Sequence, residues 1–143
     1  MVEFKEFARR FSKLSTFITK QGQKILRENS RELVEMQKEQ QIGGVNREGQ
    51  QIQSGYSTGY AKRRKTRGLQ TSFVDLHFSG KMHKGFKVIP VKGGVDIRSR
   101  EPYEYYVRAN FPKAWGLTAQ NAEVIANIVA ERLAVEIKKY LVA

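Results

Sequence analysis

The spacing of apolar residues changes twice along this chain, and that change limits the fold more than any other feature of the sequence. Near the N-terminus Phe4, Phe7, Phe11, Leu14 and Ile18 recur at alternating steps of three and four residues, which places one apolar stripe on an α-helix. Between Phe73 and Phe78 the period drops to two, with Val74, Leu76 and Phe78 alternating with Phe73, Asp75 and His77. From Ala122 through Ile125, Val129, Leu133 and Ile137 the helical period returns. Helical ends around a stranded middle describe an α+β fold, with helices packed on a small antiparallel sheet. At 143 residues the chain is expected to form a single domain over 1–143.

The first stripe predicts one long helix over 3–40, which Ile25 and Met36 continue. Opposite charges at helical spacing, Glu28 with Arg31 and Arg31 with Glu35, support its second half. Gly22 falls in mid-pattern and marks either a close helix contact or a break. Residues 42–70 follow neither period. Five glycines between 42 and 59 predict a long flexible loop that orders in an assembly. It ends in the basic run YAKRRKTRG (60–68), which starts as a helical turn. Residues 72–111 are read as antiparallel strands and an aromatic segment. In the first strand Val74, Leu76 and Phe78 point inward. GFKVIPV is the second strand, and Val95–Arg98 returns after Lys92-Gly93-Gly94, whose glycines supply the positive φ of a tight turn. Gly80 and Gly85 relax the turn around Lys81–Lys84. YEYYVRANF (103–111) suits a strand or a short helix. Thr118 is an N-cap, preceded by Leu117 as a staple residue, and it opens an amphipathic helix over 118–141.

Charge points to the kind of partner. The net charge is +12, and residues 43–72 alone hold six Lys/Arg against one acidic residue. Such a field attracts polyanions, whether nucleic acid or an acidic protein surface. The candidate contact residues are Tyr56, Tyr60, Lys62, Arg63, Arg64, Lys65 and Arg67, joined by Lys81 and Lys84. Basic side chains in a glycine-flanked loop suit phosphate contact that ignores sequence. The aromatic residues Tyr103, Tyr105, Tyr106, Phe111 and Trp115 suit a core or a subunit interface.

Chemistry is not indicated. The chain has no cysteine, which excludes disulfides and thiolate nucleophiles. His77 and His83 have only Asp75 as a nearby carboxylate, too few ligands for a metal, so both are read as surface residues. Asp75 has no nucleophile partner and is read as a polar residue at a strand edge. No enzyme, metal or cofactor is expected. No apolar run approaches the roughly 20 residues that span a bilayer, and MVEFKEFARRFSK lacks the apolar core of a secretory signal. A protein made in the cytoplasm, with no membrane partner, is expected.

Three pieces together resemble one family. They are YSTGYAKRRKTRG (Tyr56–Gly68), VDLHFSGKMHKGFKV (Val74–Val88) and WGLTAQNAEVIANIVAERL (Trp115–Leu133). In this order they are similar to the basic loop, the strand–Gly–strand element and the closing capped helix of tail-completion proteins of tailed bacteriophages. That family is also described as virion morphogenesis or head–tail connector (neck) proteins. Many members carry a Tyr-Ala-x-x-His-x-x-Gly stretch before the final helix, and YEYYVRANFPKAW departs from it. The resemblance implies a virion protein assembled in the host cytoplasm. It implies a homo-oligomeric ring at the neck or upper tail, with connector or portal-side and tail-tube proteins as partners and genome DNA crossing the lumen. The reading without the resemblance is a small basic protein that binds nucleic acid regardless of sequence.

Overall fold

The computed structural model describes residues 2–143. Its architecture is α+β: helices gathered around one antiparallel hairpin. The long N-terminal helix is divided into α1 (Phe4–Ser12), α2 (Leu14–Glu28) and α3 (Ser30–Ile42) by the single residues Lys13 and Asn29. Side chains that compete for backbone carbonyls mark both breaks. Ser12 Oγ donates to Arg9 O at 2.7 Å, and Asn29 Nδ2 donates to Ile25 O at 2.8 Å. Gly22 is neither a break nor a contact point. It lies inside α2, and a Cβ added there would meet nothing within 4 Å.

Strands β1 (Phe86–Val91) and β2 (Gly94–Ser99) pair antiparallel, with Phe86 opposite Ser99 and Val91 opposite Gly94. The hairpin therefore closes through Lys92 and Gly93. Only Gly93 has a positive φ, +79°, while Gly94 already belongs to β2. Gln23 of α2 grips both ends of the turn, donating to Val91 O at 3.0 Å and Gly94 O at 2.8 Å.

The expected strand over 73–78 does not form. Val74 and Asp75 are consecutive and both are buried, which an alternating strand cannot do. Leu76 then turns the chain at φ +53°, and the His77 N–H bonds back to Asp75 Oδ1 at 2.9 Å. Earlier, residues Thr58–Thr66 form helix α4, and Gly80 and Gly85, expected to relax the next turn, instead bracket the short helix α5 (Lys81–Lys84). YEYYVRANF resolves as helix α6 (Glu104–Asn110), followed by a 3₁₀ turn over Pro112–Ala114.

The last helix, α7 (Ala119–Val142), begins as the sequence reads. Thr118 Oγ1 accepts from the Asn121 N–H at 3.2 Å. It runs along α2, with the Phe17 and Tyr140 rings stacked at 4.1 Å and Arg132 paired with Glu28. Arg10 of α1 donates to the last-turn carbonyls of Tyr140 at 3.0 Å and Ala143 at 2.7 Å. That places a cation at the negative end of the helix dipole. The core joins Leu33, Met82, Phe86, Ile97, Ala114, Trp115 and Ile125.

Three glutamines lock α3 to the start of α7. Gln37 Nε2 and Gln41 Nε2 both donate to Ala114 O at 3.1 Å, and Gln37 Oε1 accepts from the Gly116 N–H at 2.7 Å. Gln40 donates to Gly116 O at 3.0 Å and accepts from the Thr118 N–H at 3.0 Å. All three are buried. Amides can do this because each offers both a donor and an acceptor to an irregular backbone. Beyond Leu33, the buried face of α3 is therefore polar.

Candidate functional site

The basic run is not a mobile loop. Residues 58–66 form α4, and the segment before it is folded onto the body. Val45 pairs with Gln51 as an isolated antiparallel bridge, Asn46 Oδ1 accepts from the Glu48 and Gln50 N–H groups, and the Arg47 N–H bonds Lys113 O. Gly44 has φ +73°, and a Cβ there would lie 2.4 Å from the Phe73 ring. Only glycine fits at that approach.

Arg64 anchors α4 from below. Its side chain is 1% exposed, against 8% for Asp75, which faces it with Nη2–Oδ1 and Nη2–Oδ2 separations of 3.0 and 3.1 Å. The same guanidinium donates to Gln70 O at 2.9 Å and His77 O at 2.8 Å. The chain from Gln70 to His77 thus wraps around one cation, which is why it bends rather than extends. Asp75 is equally engaged. It accepts from the Tyr56 hydroxyl at 3.0 Å and from Gln70 Nε2 at 2.9 Å, and its own N–H donates to Tyr56 Oη at 2.9 Å. Burial pushes the Tyr56 phenol up to about 12, so it stays protonated as a donor. Arg64 lies 4.4 Å from the Tyr56 ring centre as well.

Two sequence expectations change here. Arg64 and Tyr56 are structural, and Asp75 is the buried counter-ion of a helix rather than an edge residue. The remaining basic residues divide by face. Lys62, Arg63, Lys65 and Arg67 are exposed. Arg63 and Arg67 stand over the Phe78 ring at 5.1 and 4.3 Å from its centre. Lys81 and Lys84 are exposed at the two ends of α5. Beside α4 a cavity of about 580 Å³ is walled by Tyr56, Tyr60, Phe78, Tyr103 and Phe111, with Arg64 and His77 among its polar lining. Tyr60 meets Tyr56 edge-on at 5.3 Å. The site is thus a helix and its C-cap carrying four exposed cations, two of them over Phe78, above an aromatic pocket.

The expected interface aromatics separate in the same way. Tyr105 and Tyr106 are 72% and 67% exposed and Tyr103 is at the edge of exposure, whereas Trp115 is 4% exposed and belongs to the core. Arg108 stacks on Trp115 at 4.1 Å and donates to Ile97 O at 2.6 Å. Arg98 and Arg108 both bond Glu104, which is buried. Burial pushes this carboxyl up, but hydrogen bonds from the two arginines outweigh it and hold Glu104 below its ordinary value. Sequence reading missed Glu104. Its only signal was the four-residue spacing to Arg108.

The histidines are not both on the surface. His83 is buried, and its ring stacks on His77 with centres 5.8 Å apart. Gln41 Nε2 already donates to Ala114 O, so Gln41 Oε1 must accept, and His83 Nε2, 2.9 Å away, carries the proton. Among the described residues His83 Nδ1 is left as a buried acceptor without a partner. Burial, with His77 and Lys38 nearby and opposed by Asp75, lowers the His83 pKa from 6.5 to about 4. The unfolded chain therefore takes up this proton first as pH falls. Stability contributed by neutral His83 is complete above pH 6.5 and is lost progressively toward pH 4. Urea midpoints measured across that window are expected to fall, and His83→Gln is expected to flatten the slope. Parallel pH profiles for both proteins would show that another group controls the acid limb.

Among the described residues no group of three His, Asp or Glu side chains is placed to hold a metal ion, and no helix is long and apolar enough to cross a membrane. No family model matches this chain, and neither a curated protein nor a solved structure matches it.

Proposed function

We propose that the chain is a structural virion protein of a tailed phage, a subunit of a homo-oligomeric ring at the head–tail neck or upper tail that joins connector to tail. The observation that supports this reading best is where the three family-like pieces lie. Arg64, from the first piece, is ion-paired to Asp75, from the second, and both are buried. The third piece, from Trp115, is bound through its Gly116 and Thr118 N–H groups to Gln37 and Gln40. The pieces act as joints of one scaffold. On that scaffold α4 and α5 present lysines and arginines toward a partner ring or lumen DNA, while buried polar groups hold backbone. Protein made in the host cytoplasm would enter the particle during assembly. Quantitative mass spectrometry of purified particles tests this. The expected result is a fixed copy number per particle, far below that of the capsid protein, and absence from particles would overturn the reading.

The exposed face of α4 favours a second reading, sequence-independent nucleic-acid binding. It predicts DNA affinity in the isolated chain that falls steeply with salt. Replacing Lys62, Arg63, Lys65 and Arg67 with alanine would abolish that affinity without unfolding the helix, because Arg64 stays in place.

A further inference from the structure

The folded chain exposes 9600 Å². A compact monomer of 16.4 kDa exposes about 7,500 Å². The excess, about 2,000 Å², is of the size that protein–protein contact removes, since a standard interface covers about 800 Å² on each partner and a ring subunit has two such faces.

Two apolar features belong to that exposed surface. The first is α1, which has no buried residue at all. Phe4 is 86% and Phe11 60% exposed. Seven residues apart, they fall on one helix face about 10 Å from each other. The second is an apolar groove of about 550 Å³ lined by Leu26, Leu33, Leu117, Ile125, Val129 and Leu133. Along α7 it extends from Ala122 to Leu133, about 16 Å at 1.5 Å per residue. Two rings about 10 Å apart fit within that length, in the manner of an amphipathic helix laid in a groove.

A single copy cannot bring these features together. Arg10 fixes α1 to the Tyr140 and Ala143 carbonyls, at the far end of α7 from the groove, and it is α2, through Leu26, that reaches the groove within the same copy. Two copies can. The donor face and acceptor groove are different surfaces, so the contact is head-to-tail and closes into a ring when the rotation permits. We infer that the Phe4–Phe11 face of α1 in one copy docks into the groove between α7, α3 and β2 of the next. This deepens the ring reading above and rests on it.

The absence of cysteine makes the test clean. One chain carries Phe11→Cys and another carries Ala126→Cys, a groove-lining residue that is itself exposed. Mixed under mild oxidation, the two are expected to form a disulfide-linked heterodimer. Phe4→Asp with Phe11→Asp is expected to convert the oligomer to monomer in sedimentation, with the helical circular dichroism spectrum unchanged. An oligomeric wild-type chain that gives no mixed disulfide would overturn the α1 assignment and leave the ring reading standing. A wild-type chain that is monomeric at every concentration would overturn the docking. Particle copy number would then decide the ring reading separately.

Discussion

Asp75→Ala is expected to lower the unfolding free energy of the isolated chain by about 3–5 kcal/mol, the usual loss when one member of a buried ion pair is removed. Arg64 would remain 1% exposed with no carboxylate against it. Tyr56 would lose an acceptor, and Gln70 would lose another. Arg64→Met combined with Asp75→Leu should recover much of that loss, because it removes both charges and leaves apolar bulk. Urea unfolding of the three proteins at neutral pH makes the comparison. A loss below about 1 kcal/mol for Asp75→Ala is what a solvated surface pair gives, and it would return the basic run to the mobile loop that its glycines suggest.

Trp115→Ala should cost a similar amount, about 3–5 kcal/mol, and for a different reason. The ring packs at 5.6 Å from Phe86 within the core and under Arg108 at 4.1 Å. Its removal leaves a cavity between α3, the hairpin and the start of α7. For a chain of this length the melting temperature should fall by about 2–4 °C per kcal/mol. The loss should not depend on protein concentration, which separates a core residue from an interface residue. Tyr105→Ala and Tyr106→Ala, on exposed side chains, should change monomer stability by no more than about 0.5 kcal/mol. A Trp115 effect that vanished on dilution would place this ring at a subunit contact.

The parts of the fold that were legible in the sequence are those whose causes are local. The hairpin depends on alternation and on one glycine at Gly93, and α7 depends on its period and on Thr118. Both signals lie within a few residues of the structure they produce. The alternation at 73–78 misled because period two records which residues are apolar, not which are buried. Asp75 is polar and still faces inward, held there by a guanidinium eleven positions earlier. The basic cluster was legible as charge, but nothing in its spacing separates Arg64 from Arg63 or Lys65. Only the partner does. The glutamines of α3 were invisible for the same reason, since the carbonyls and N–H groups they hold lie more than seventy positions away.

Those glutamines also bear on how the chain matures during synthesis. Gln37 and Ala114 are 77 positions apart, so α3 emerges from the ribosome long before the segment that satisfies its amides. Until then the glutamine part of its inner face stays in water, and that part has little reason to collapse onto the wrong surface. Closure awaits the 114–121 segment, so the joint acts as a late checkpoint. A nascent chain arrested before that segment keeps these three amides in water, and its α3 lacks the lock that ties it to α7, leaving it open to proteases.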